Sequence, residues 1–154
     1  MPLEVHARYT RDEIAAAFGE MNPGAFREGV RYVEREWADL LLVTLNKTEE
    51  HFSPTTMYRD RAITPRLFQW ETQSTTSAQS PTAQRYGHHD VEGSSVHLFV
   101  RETKSNALGI AAPYLYAGPA HYVSHQNDRP VEILWELERD LPADVFHAAR
   151  AAAG

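Results

Sequence analysis

No cysteine occurs in the 154-residue chain, which removes disulfide frameworks, thiol nucleophiles and cysteine-ligated zinc together. No apolar run approaches the roughly 18 residues that a membrane-crossing helix needs, and the opening MPLEVHARYT has no apolar core behind a basic start of the kind a secretory signal carries. A soluble, cytoplasmic protein with no membrane partner is the expectation. Missing too are a Gly-x-Ser-x-Gly elbow, a phosphate-cradling glycine loop and a dinucleotide fingerprint, so the motifs favour no enzyme and no cofactor. A net charge of −6 argues against a surface that is basic all over for nucleic acid. With 42% hydrophobic residues the chain can bury one core but not two, so residues 1–154 read as a single domain.

The acidity is uneven. Residues 1–45 and 91–154 each carry five basic against eight acidic side chains, whereas residues 46–90 carry five of each. That neutral third contains HFSPTTMYRDRAITPRLFQWETQSTTSAQSPTAQRY, residues 51–86, poor in aliphatics and rich in Arg, aromatic and hydroxyl side chains.

Around it lie recognisable elements. YTRDEIAAAFG predicts a helix over Arg11–Phe18, with Thr10 as N-cap, Glu13 completing a capping box and Gly19 as the stop. GVRYVE reads as a strand, DLLLVTL as a strand buried on both faces, and LFQWET as a strand with Phe68 and Trp70 on one face. SVHLFVR and VEILWEL alternate as half-buried strands do, and PYLYAGPAHYVSH suggests two strands broken at Gly118-Pro119. LPADVFHAARAA predicts a closing helix from about Pro142. The expected fold is α+β: a curled, mainly antiparallel sheet of six to seven strands, a partial β-barrel, with an N-terminal and a C-terminal helix. Segments 46–66 and 73–94 are then long loops, and loops of that length usually bind something.

Metal chemistry finds little support, because His121 and His125 on one strand face would stand roughly 13 Å apart. Asp90 with Glu102-Thr103-Lys104 has the residue types of a Mg²⁺ nuclease, but an extended Ser95–Arg101 would hold the two carboxylates roughly 20 Å apart. Binding remains. Tyr58 and Trp70 offer faces on which an unstacked base could lie, and Asp60 and Gln73 could read its edge. Lys47, Arg59, Arg61, Ser74, Arg85 and Tyr86 could hold the backbone. The plainer reading makes Phe68 and Trp70 core and Arg59-Asp60-Arg61 a surface ion cluster.

VTLNKTEEHFSPTTMYRDRAITPRLFQWETQSTTSAQSPTAQRY, with HLFVRETK, AGPAHYVSH and RPVEILWELERDLPADVF, resembles a family of unknown function found at the C-terminal end of bacterial superfamily II helicase proteins. The likeness runs from Tyr9 to Phe146. Its relatives often join a phospholipase-D-like nuclease to an ATP-driven motor, and the C-terminal region is similar to the SET- and RING-associated, pseudouridine-synthase-like barrels that flip a modified cytosine. The resemblance implies a DNA-binding target-recognition domain of a helicase or restriction-type system, reading a modified base in duplex DNA and partnered by helicase and nuclease domains in cis or in trans. The alternatives are an interaction or oligomerisation module that does not touch DNA, and the Mg²⁺ nuclease.

Overall fold

The computed structural model describes residues 3–20, 29–45, 60–72, 76–105 and 107–151. Helix α1 spans Arg11–Ala17. The Thr10 hydroxyl accepts from the Glu13 N–H at 3.2 Å while the Glu13 carboxylate accepts from the Thr10 N–H at 2.8 Å, the capping box expected from TRDE. At its far end Gly19 takes φ +72. The Gly19 and Glu20 N–H groups bond back to Ala16 and Ala15, a Schellman stop that occupies two otherwise orphaned carbonyls.

Among the described residues eight strands follow one another as β1 (Arg8–Tyr9), β2 (Val30–Val33), β3 (Ala38–Thr44), β4 (Arg61–Ala62), β5 (Leu67–Glu71), β6 (Ser95–Arg101), β7 (Tyr114–Gln126) and β8 (Glu132–Leu137). Their spatial order is β2-β3-β6-β7-β8-β5-β4, with β1 joined to β7, so the sheet is curled and not closed. All pairings are antiparallel except β3 with β6. The α+β class and the mainly antiparallel sheet are as expected; the extra strands are the two-residue β1 and β4, too short to show as a period.

Two expectations fail. PYLYAGPAHYVSH is one strand, not two. Gly118 at φ +102, a region side chains rarely enter, lets β7 bend as it passes from β6, which it pairs as far as Pro119, to β8, which it joins at Ala120. The second failure concerns segment 73–94, expected as a loop. Its Pro81–Glu92 portion is a helix, α2. The Ser80 hydroxyl caps the Ala83 N–H at 3.2 Å, Pro81 opens the first turn, and Gly93 closes it at φ +81. The last helix, α3, runs Ala143–Ala151, one residue after Pro142.

Alternation along β3 and β6 divides the core. Leu41, Val43, Val96, Leu98 and Val100 face a large cluster with Phe68, Trp70, Tyr86, Ile133 and Trp135, covered by α2 and α3. Leu40, Leu42 and Phe99 face the other side, under Ile14 of α1 and Phe18, which caps it. Burying each such side chain contributes about 1.5–3 kcal/mol. A strand that buries both faces therefore needs the near-continuous apolar run seen in ADLLLVT. Asp39 is the exception in that run, and it is 2% exposed.

Candidate functional site

Asp39 is answered from α2. The Arg85 Nε–H and Nη2–H donate to its two carboxylate oxygens, each at 2.8 Å. Burial pushes the Asp39 carboxyl above its usual range, opposed by the Arg85 bonds and charge. Burial pulls Arg85 down, but the same bonds outweigh it and hold the guanidinium upward. The bidentate 2.8 Å geometry is that of an ionised pair. The guanidinium also lies 3.9 Å from the centre of the Tyr32 ring on β2, so α2 is tied to β2 and β3 at one point.

Beside this tie is a surface hollow of about 260 Å³, walled by residues that include Tyr32, Asp39, Trp70, Thr82, Arg85 and Tyr86. Each water occupies about 30 Å³ in the liquid, so the space holds roughly eight waters or one planar heterocycle. Among the described residues Val30, Arg31, Thr72 and Thr76 also line it. Arg31 is held by Glu20 at 2.7 Å and the Thr72 hydroxyl accepts the Val131 N–H.

Of the residues singled out in the sequence, Trp70, Arg85 and Tyr86 meet here. Their roles differ from those assigned by composition. Trp70 is 4% exposed, edge-on to Tyr86 at 5.5 Å and 6.5 Å from Trp135, so it is chiefly core, with a margin on the hollow. Tyr86 is 2% exposed and its hydroxyl is pushed upward by burial. Arg85 is committed to Asp39. Asp60 does not line the hollow: its carboxylate accepts the Glu71 N–H at 2.9 Å, beside the start of β4. Arg61 lies in β4, paired with Gln69 across the ladder, and is likewise not part of the wall. Lys47, Tyr58, Arg59, Gln73 and Ser74 lie outside the described residues. Asp39 and Tyr32 were missed. The signal for Asp39 was present as one acid in a strand otherwise apolar on both faces, a position that requires a cationic partner.

Further along α2, three groups converge that the sequence reading kept apart. His89, Asp90 and His121 offer ligand atoms all within 4.8 Å of one another. The hydrogen bonds favour protons over a metal. His89 Nε2 accepts the Tyr122 N–H at 3.1 Å, so a neutral ring carries its proton on Nδ1, the atom turned toward Asp90 at 3.5 Å. A metal on Nδ1 would need that proton gone while Nε2 still accepts, an imidazolate. His121 sits between two carboxylates, Asp90 at 3.1 Å on Nδ1 and Glu138 at 2.8 Å on Nε2. The Glu138 bond above all raises its pKa, against burial. The cluster is a charged clamp holding the end of α2 to β7 and to the residue after β8.

Of the residues named for a nuclease, Asp90 is engaged by His121, and Glu102 and Lys104 are exposed beyond the end of β6. Among the described residues no helix is long and apolar enough to cross a membrane.

No curated protein matches the chain. Residues 3–149 match a single family, nearly the whole of the molecule, both walls of the hollow included. The chain belongs to the family described as Domain of unknown function (DUF3427).

Proposed function

We propose that this protein is a non-enzymatic recognition module for DNA carrying a modified base, most simply a 5-substituted cytosine, which it takes out of the duplex into the hollow beside α2. The supporting observation is the hollow itself: a surface opening on the scale of one nucleobase, with aromatic margins from Trp70 and Tyr86, and one fixed ion pair in its wall. A pocket for a flipped base needs those components, an apolar flank for the ring and a few placed polar groups for its edge. The resemblance to C-terminal regions of helicase and nuclease proteins, and to SET- and RING-associated readers, supports the same reading. In it the attached or associated motor and nuclease act where this module binds. Tyr58 and Gln73 belong to the base-binding set in this proposal, and Lys47, Arg59, Arg61 and Ser74 to the phosphate-binding set.

The test is a gel-shift titration of the full chain against duplexes that differ only in 5-methylation or 5-hydroxymethylation of one cytosine. Tighter binding to a modified duplex is expected. Equal affinity for modified and plain DNA would sink the proposal.

A second reading, a docking module for the helicase or nuclease, draws on exposed apolar side chains: Trp37 is 59% and Val91 89% exposed. Under it, DNA of either kind leaves the mobility of the protein unchanged.

A further inference from the structure

We infer that Arg85 reads the base, selecting a neutral pyrimidine with two adjacent acceptors, O2 and N3 of a 5-substituted cytosine, and rejecting thymine; this rests on the hollow being the base pocket. A guanidinium has five N–H groups. Two are spent on Asp39. The other three, on Nη1 and Nη2, have no acceptor among the described residues, and the side chain keeps 22% of its surface exposed in the wall of the hollow. Tyr32 covers the guanidinium at 3.9 Å, so the plane of the group is set by the ring and its direction by Asp39. The result is a donor fork held in place before any ligand arrives.

A fork of two parallel donors matches two neighbouring acceptors. Charge then narrows the ligand. Asp39 neutralises Arg85, and the other cation in the wall, Arg31, is held by Glu20. A phosphate would enter with no uncommitted positive charge among the described wall residues to meet it, whereas an uncharged heterocycle needs none. Among pyrimidines the 3-position decides. Cytosine N3 is an acceptor beside O2, but thymine carries N3–H, which would meet an Arg N–H donor to donor. 5-Methylcytosine and thymine share the 5-methyl group, so the apolar flank of the pocket cannot separate them and the edge must. Composition gave Arg85 to a phosphate and the edge to Asp60 or Gln73; Arg85 is on the wall of the hollow and Asp60 is not, while Gln73 lies outside the described residues.

The experiment compares full-chain binding to duplexes with 5-methylcytosine, thymine, guanine or plain cytosine at one position opposite guanine. The T·G mismatch opens more readily than the C·G pair, so a preference for 5-methylcytosine over thymine comes from the edge and not from the cost of extrusion. The wild type is expected to favour 5-methylcytosine over thymine roughly tenfold to a hundredfold, the span one bidentate base contact supplies. Arg85→Lys keeps a cation on Asp39 and loses the fork, and should bring that ratio to one or below. A ratio that survives in Arg85→Lys, or guanine preferred over 5-methylcytosine by the wild type, overturns the assignment. A wild type blind to methylation removes the pocket reading itself, and is recognised by equal binding to the two cytosine duplexes. Should Arg85→Lys fail to fold, the wild type with 3-deaza-5-methylcytosine decides: it keeps the 5-methyl group but lacks the N3 acceptor, so binding should fall toward the thymine level, and binding retained at the 5-methylcytosine level overturns the assignment.

Discussion

Trp70 shows how one residue can carry two signals at once. Its alternation with Phe68 on a strand face is a core signal, and its aromatic ring in a polar segment is a binding signal. The structure resolves the two unequally, leaving 4% of the residue exposed. Trp70→Ala is therefore expected to destabilise the fold by about 3–5 kcal/mol, the usual cost of emptying a large buried aromatic site. Denaturant titration measures it. A loss under 1 kcal/mol, on the order of a surface substitution, would show the ring to be a platform after all. Asp39 illustrates the opposite case, a residue whose meaning depends wholly on its partner. A lone buried carboxylate in β3 is costly, and the 46-residue separation from Arg85 places that partner beyond any local pattern.

At the scale of elements, α2 is the chief correction. PTAQRYGHHDVE hides a helix because most of its face is solvated, and its burial falls on two residues, Tyr86 and His89. Its punctuation was nevertheless in the chain: Ser80-Pro81 to open and Gly93 to close, twelve residues apart in the manner of an ordinary helix. The β6–β7 joint also carries a proton-linked prediction. His97 on β6 contacts the Tyr116 hydroxyl on β7 at 2.7 Å through Nδ1, and Ser95 at 2.9 Å through Nε2. Phe18, the C-cap of α1, stands 5.2 Å from its ring, and among the described residues Glu138 is the charged group that acts on it. Burial lowers its pKa from 6.5 to about 4. Because the folded pKa is the lower, the unfolded chain binds the extra proton between those values, and stability is full above pH 6.5 and lost as pH falls toward 4. At about 1.36 kcal/mol per unit the loss approaches 3 kcal/mol. Chemical denaturation of wild type and His97→Gln across pH 7 to 4 should show a steeper decline in the wild type; parallel curves would refute a buried neutral histidine. His121, with its pKa raised by Glu138 and Asp90, acts in the other sense: its contribution is complete below pH 6.5 and fades as pH rises through its folded value.

For the whole molecule, electrostatics limits how the DNA of the proposed function could be held. The net charge is −6, and the arginines in the described wall of the hollow are already paired. Under that proposal phosphate contacts fall to Lys47, Arg59 and Arg61. Three neutralised phosphates give a slope of about −3 in a plot of log affinity against log salt, at about −0.9 each. Fluorescence anisotropy over a salt series measures it. A slope near zero would remove these residues from the DNA interface; one near −8 would require a basic surface that the composition does not supply.

What the chain determined by itself was whatever depends on near neighbours. The capping box at Thr10 and Glu13, the doubly apolar run of β3, the alternation of β6 and β8 and the α+β class all follow from spacings of two to four residues, the range over which backbone periodicity acts. What the tertiary structure alone decided was which distant residues meet: Asp39 with Arg85, His121 with Asp90 and Glu138, and β3 lying parallel to β6. Such meetings are set by how the sheet curls and where α2 packs on it, and a curl that sums small contributions from every strand leaves no local mark in the sequence.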